Sequence, residues 1–277
     1  MKTKKHSAGY YIGFLIFIIV ALINIYPMVF SIFCSFKGNL EIFSSFTALP
    51  KKLRIENYLT AWNVGNIGRY FLNTIILAVG TLAISGLFGA MASYVLAKFK
   101  FRGKSKIYLL FISGMMIPIQ AVLIPLSYIF GKLGIMNNYP VLILLYAAFC
   151  FPMTILILTG FMNGIPTELE EAMVIDGANI YQVFFKMILP LSVPGIVSVS
   201  IFNFIQVWNN LLFPLIFISD KDEGTISMGL LAFFGEYSTD YSSSMAGICL
   251  TTIPVIIAYI FFQEKIENGL MSGAVKG

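Results

Sequence analysis

Six stretches of this 277-residue chain carry no Asp, Glu, Lys or Arg, at 7–36, 70–97, 107–131, 133–167, 187–219 and 241–263. Each exceeds the ~20 apolar residues with which an α-helix crosses a bilayer. A backbone in lipid finds no water to bond, so such segments must close their hydrogen bonds within helices. The pattern predicts an all-α integral membrane protein with six transmembrane helices, at 10–33, 70–96, 107–130, 140–162, 190–218 and 245–263. Charged residues are 11% of the chain, against roughly 25% in soluble domains, which excludes a soluble globular enzyme.

Lys2, Lys4 and Lys5 precede a first apolar run that is too long for a signal peptide and lacks a small-residue cleavage site, so it reads as a retained span. Six spans leave both termini on one side. With the N-terminus inside, eleven Lys and Arg fall on the cytoplasmic side and seven outside. The bias is concentrated in residues 98–106, where five of nine are basic, and short loops are where the positive-inside rule acts. Both termini are therefore expected in the cytoplasm. Asp220, Asp222, Glu223, Glu236 and Asp240 then lie on an outer loop, 219–244. A solvated loop would explain these acids, but the length of the segment favours a folded docking loop.

The chemistry available is sparse. His6, the one histidine, sits in the basic tail, which removes Ser-His-Asp, Cys-His and zinc constellations. Cys34, Cys150 and Cys249 fall in three different apolar windows, where thiols behave as small buried hydrophobes. No ionisable residue is expected at bilayer depth, which disfavours an ion-coupled carrier or membrane-embedded enzyme, although sodium held by carbonyls and hydroxyls needs none.

Pro27, Pro118, Pro125, Pro152, Pro214 and Pro254 predict kinked, packed spans. Gly80, Gly86 and Gly89 in the second span would allow close helix approach. In the fifth span Asn203, Gln206 and Asn210 follow i, i+3, i+7 spacing on one face, beside Trp208. Such amides either line a path for a hydroxyl-rich solute or bind helices to one another; the second reading carries more weight. Gln120 and Asn73 are weaker candidates of the same kind.

The long cytoplasmic loop, 163–189, is the most informative segment. Pro166, Thr167 and Glu170 form a helix start with a capping box, and Glu168, Glu170 and Glu171 suit the positive end of the helix dipole. The helix should run to about Asp176 and stop at Gly177, which accepts left-handed geometry. Asn179 caps a second short helix with Ile180, Val183, Phe184 and Met187 on one apolar face. Apolar and small side chains offered to the cytoplasm call for a partner to cover them.

These residues resemble the EAA motif of ABC importer permeases: E-A-A, three residues, G, nine residues, I, one residue, L-P. Here it stands as Glu171, Ala172 and Met173, then Gly177, then Met187, Leu189 and Pro190, with Met173 and Met187 departing from the pattern. The strings EEAMVIDGANIYQVFFKMILPL, VWNNLLFPLIFI and TISMGLLAFFGEYSTDYSSSMAG and the ending GLMSGAVKG are similar to the maltose and multiple-sugar type of permease, from about Gly13 to Gly277. The resemblance implies a type I importer bundle in the bacterial cytoplasmic membrane. Its implied partners are a second homologous permease subunit, two ATP-binding subunits, an extracytoplasmic sugar-binding protein and the sugar itself, with membrane lipid around it and no nucleic acid.

By the same resemblance, Glu171, Ala172, Met173, Asp176, Gly177, Leu189 and Pro190 form the element that couples to an ATPase. Val275, Lys276 and Gly277 reach toward the ATPase dimer, and Phe233, Phe234, Glu236 and Tyr237 face the binding protein. No GxxxxGK[ST] phosphate loop occurs in the chain, so ATP and Mg would be bound by the partner ATPase and no cofactor is expected here. Within the same class, a glycerol phosphate or another small polar solute is the alternative cargo, though a phosphate calls for Lys or Arg along the path.

Overall fold

The computed structural model describes residues 8–45, 47–234 and 239–274. In chain order the helices are α1 (Ala8–Ser35), α2 (Asn39–Ser44), α3 (Glu56–Val64) and α4 (Ile67–Lys98), then α5 (Lys104–Met116), α6 (Ile119–Leu133) and α7 (Tyr139–Asn163). They continue as α8 (Thr167–Ile175), α9 (Ile180–Leu191), α10 (Val193–Trp208), α11 (Leu212–Phe217) and α12 (Tyr241–Ala274). Among the described residues no strand forms, only an isolated antiparallel bridge between Phe234 and Thr239.

Four helices are long and apolar enough to cross a membrane, and the count reaches six when two bent pairs are each taken as one span. Two of the expected spans are thus not single helices. The third breaks into α5 and α6, bent by 95°. Pro118 causes this: it disfavours helical geometry at the residue before it, and Ile117 turns extended at φ −82°, ψ 112°. In place of the expected fifth span, α9 and α10 meet at a bend of 70°, and α10 ends at Trp208. Pro190 and Pro194 remove helical donors on either side of the bend, at Ser192, and the turn Phe184–Ile188 ahead of Pro190 widens to a π-helix. After Trp208 the chain leaves the helix; Asn210 Oδ1 accepts from Phe213 N at 3.0 Å, and α11 follows from Leu212.

The chain divides into two compact units, Met1–Ile67 with Leu230–Ile253, and Gly68–Gly229 with Pro254–Gly277. In the first, α1 exposes apolar side chains around its whole circumference, Phe17, Leu22 and Ile23 among them, a surface suited to lipid. Ala61, Phe233 and Ala246 form a small core with Tyr58 and Leu250. Lys37, one of the seven Lys and Arg counted on the outer side, is 0% exposed, with Nζ donating to Ser45 O at 2.9 Å. Asn57 Nδ2 fixes the backbone beside it by donating to Ser35 O and Lys37 O, at 2.7 and 2.8 Å.

The second unit holds two apolar clusters. One gathers Leu77, Leu142, Tyr146, Phe213 and Phe217; the other gathers Ala90, Tyr94, Leu158, Val183, Phe184 and Ile188. Between them α4 and α7 approach closely. A Cβ at Gly80 would lie 2.7 Å from Ile143, and one at Gly89 2.5 Å from Thr154, whereas Gly86 faces open space. At that crossing Asn203 of α10 donates to Thr154 Oγ1 at 3.0 Å.

Candidate functional site

Glutamates in its first turn favour α8 at its N-terminus, but no capping box forms there. Pro166 takes the N-cap position without a side-chain bond, and Thr167 is already helical. The carboxylate of Glu170 is engaged elsewhere: Oε1 lies 3.2 Å from Lys98 Nζ and Oε2 accepts from Tyr94 OH at 3.0 Å. The box occurs one element later, where Asn179 and Gln182 exchange side-chain-to-backbone bonds of 2.8 and 3.0 Å at the start of α9.

Between the two helices Gly177 adopts φ +82°. Ala178 N donates to Met173 O at 2.9 Å and Gly177 N to Val174 O at 3.0 Å. These are the paired bonds of a Schellman stop, in which the residue after the helix is left-handed. Met173 and Ala178 both pack on the cluster around Tyr94, Val183 and Phe184.

The motif residues consequently divide by face. Met173 and Leu189 turn inward, half-buried, while Glu171, Ala172, Asp176, Gly177 and Pro190 are exposed. Ile175 is 85% exposed and Val174 is exposed beside it. An apolar surface beside a rigid turn is a docking surface if a partner covers it.

What holds α8 is the last turn of α4. The Lys98 and Glu170 side chains are 8% and 14% exposed, and Lys98 Nζ also donates to Ile165 O. Tyr94, one turn back on α4, packs its ring against Phe99 and Phe184, with centroids 5.5 Å away in each case. Sequence reasoning missed both Lys98 and Tyr94. Lys98 counts there as one of five loop charges, and nothing in its position along the chain marks a partner at Glu170.

At the opposite end of α4 a different arrangement holds the acidic segment after α11. Tyr70 OH donates to Lys221 O at 2.7 Å, and Asn73 Nδ2 donates to Asp222 O and Gly224 O at 3.0 and 2.9 Å. Thr74 Oγ1 accepts from Ile226 N at 3.0 Å, and Tyr139 OH donates to Glu223 O. Gly224 is required by space, since a Cβ there would sit 2.6 Å from the Tyr70 ring. The ion pair of Arg69 with Asp222, at 3.0 Å, is 53% and 63% exposed. Asn73, expected as a candidate along a solute path, serves here as a backbone clamp.

The amide stripe of the fifth span does not form. Asn203 is buried against Thr154, Gln206 is exposed, and Asn210 lies beyond the helix end, where its Oδ1 accepts from Phe213 N. Gln120, exposed in the first turn of α6, is not brought near them by any hydrogen bond among the described residues. Of the outer-loop residues, Phe233 is buried in the core of the first unit and Phe234 is exposed. Glu236, Tyr237, Val275, Lys276 and Gly277 lie outside the described residues.

Apolar helices long enough to cross a membrane mark a membrane protein, and within the second unit α8 is held to the end of α4. The chain belongs to the family of binding-protein-dependent transport system inner membrane components, whose family model matches residues 85–271. The diacetylchitobiose uptake system permease protein NgcG of Streptomyces coelicolor is 38% identical over 261 residues, which cover 94% of this chain and 86% of that protein. The arabinooligosaccharides transport system permease protein AraQ of Halalkalibacterium halodurans is 31% identical over 265 residues, 94% of each chain. In fold, the chain is similar to a subunit of a bacterial ABC transporter involved in the import of the acidic polysaccharide alginate. There the TM-score is 0.81 at 21% identity, over 95% of this chain and 99% of that one.

Proposed function

We propose that this chain is the membrane subunit of an ATP-driven importer that brings an oligosaccharide into a bacterial cell, paired with a second permease subunit of the same family. Two relatives that match it along nearly its whole length are named for uptake of a chito-disaccharide and of arabinooligosaccharides. The single observation that carries the coupling role is the two-faced build of α8. Its inner face is bonded to Lys98 and Tyr94, while Glu171, Ala172 and Ile175 stand exposed. In this reading α8 and the Gly177 turn enter a cleft in a partner ATPase, which binds ATP and Mg and supplies the energy. The basic turn 98–106 adjoins α8 through Lys98, which supports placing that end and both termini in the cytoplasm.

With that orientation the clasped acidic segment lies on the extracytoplasmic side. Of the residues proposed to meet the binding protein, the exposed Phe234, with Glu236 and Tyr237, would make the contact and the buried Phe233 would only support it; Val275, Lys276 and Gly277 would reach toward the ATPases. Dimerisation of the ATPases on ATP would press on α8 and turn the bundle outward, and the loaded binding protein would favour the same state, so the two reinforce each other. The burial of Asn203 against Thr154 favours a role in holding α7 to α10 over contact with the sugar.

The test is uptake of radiolabelled diacetylchitobiose, arabinotriose and maltotriose by the reconstituted complex, with E171K alongside. E171K and a bulky residue at Gly177 are each expected to abolish sugar-stimulated ATP hydrolysis while the complex stays assembled in the membrane. Unchanged transport in either variant would contradict the coupling assignment, and no uptake of any of the three probes would contradict the oligosaccharide cargo.

A further inference from the structure

Two neighbouring glutamates on α8 have opposite surroundings. Glu171 is exposed, whereas Glu170 spends both carboxylate oxygens inside its own chain, on Lys98 and Tyr94. Lys98 in turn grips the start of α8 at two points, the Glu170 carboxylate and the Ile165 carbonyl before the helix begins. A single contact would leave α8 free to pivot. Two contacts at its start, with Met173 and Ala178 packed into the apolar cluster at its far end, leave no independent rotation.

Lys98 is also the last residue of the 32-residue α4, which at 1.5 Å per residue is about 48 Å long. Residues of its first two turns, Arg69, Tyr70, Asn73 and Thr74, hold the 221–226 segment through four backbone groups and one ion pair. One unbroken helix without internal proline thus has α8 fixed at one end and the acidic segment at the other.

We propose that Lys98, seconded by Tyr94, is the positioning residue of energy coupling. Through Glu170 it locks α8 to the end of α4, so that a push on α8 moves α4 as a rod and carries the clasped 221–226 segment with it. This rests on the reading that α8 docks in a partner ATPase. A largely buried pair suits the task because salt screens it much less than an exposed one. It is weak as a source of stability, since apolar residues of similar size often do as well, so its value here is directional.

The experiment uses the full complex in proteoliposomes, with the probe sugar that the uptake assay selects. K98M and E170Q are compared with K98R in a chain carrying Ala172→Cys, with Cys34, Cys150 and Cys249 replaced by serine. The expected result is an assembled complex that still cross-links to the ATPase through position 172 and keeps its basal ATP hydrolysis. Its stimulation by loaded binding protein should fall roughly tenfold, within the usual range of coupling between sites. Transport per ATP should fall with it, and K98R, which keeps the charge, should recover part of both. A merely structural role would leave transport per ATP unchanged in whatever complex assembles.

As a second arm, K98C/E170C is joined by a short bis-methanethiosulfonate linker and compared with the same protein capped by methyl methanethiosulfonate. The tethered form should regain stimulation and the capped form should not. Stimulation retained by assembled K98M, or tethered protein no better than capped, would overturn the proposal. Absence of the 172 cross-link in the chain with Lys98 and Glu170 intact would strike the docking reading instead.

Discussion

The two ends of α4 hold their neighbours by opposite means. At the basic end one lysine and one tyrosine bind a carboxylate within an apolar cluster, with the paired side chains 8% and 14% exposed. At the acidic end the side chains of Tyr70, Asn73, Thr74 and Tyr139 bind backbone groups of a segment whose only ion pair among the described residues is more than half exposed. The first arrangement concentrates its strength in one charged contact. The second spreads it over several neutral bonds, each of modest net worth. A joint of the first kind fails at once when one partner is removed, whereas the second degrades by steps.

The largest expected effect follows at the basic end. Removing one partner of a buried pair strands the other, at a cost of about 3–5 kcal/mol. K98M should therefore lower the unfolding midpoint of the detergent-purified subunit far more than any single change at the acidic end, measured by thermal or denaturant unfolding. Equal shifts at the two ends would break the contrast. Next comes G224V. Its Cβ would lie 2.6 Å from the Tyr70 ring, and overpacking of this sort costs about 1–3 kcal/mol. Loosening of the clasp should appear as faster tryptic cleavage after Lys221, with α8 still anchored.

The smallest effect belongs to R69A. Exposed pairs are worth about 1 kcal/mol or less and are screened by salt. The variant should be nearly indistinguishable from wild type in unfolding, and any difference at low ionic strength should vanish in high salt. A large, salt-insensitive loss would mean that the two ends do not differ in the way their exposures indicate.

How much of this was legible in the sequence depended on whether the deciding forces were local. The Gly177 stop, the Asn179 cap and the extent of α8 to within a residue were readable, because left-handed geometry and capping are settled by three or four neighbouring residues. The 95° bend at Ile117 was not, although Pro118 was noted, because a proline predicts a kink without its size. Asn210 looked like a member of a helical stripe because spacing assumes that the helix continues, and it ends at Trp208.

The Lys98–Glu170 pair was illegible for a different reason. The two are 72 positions apart in numbering, and charge counting assigned one to a topology signal and the other to a helix dipole. Lys37 shows the same limit. It counts among the seven basic residues of the outer side, and a charge count carries nothing about burial, yet its own chain buries it completely.

The central claim is that the basic end of α4 presents α8 to an ATPase. Its most direct measurement is thiol cross-linking of the intact complex with a single cysteine at Ala172, and in a parallel sample at Ser219 near the acidic segment. Ala172→Cys should cross-link to the ATP-binding subunit, with a yield that changes when ATP is added, and Ser219→Cys should give no such product. Cross-linking of the ATPase through position 219 and not through 172 would contradict the claim.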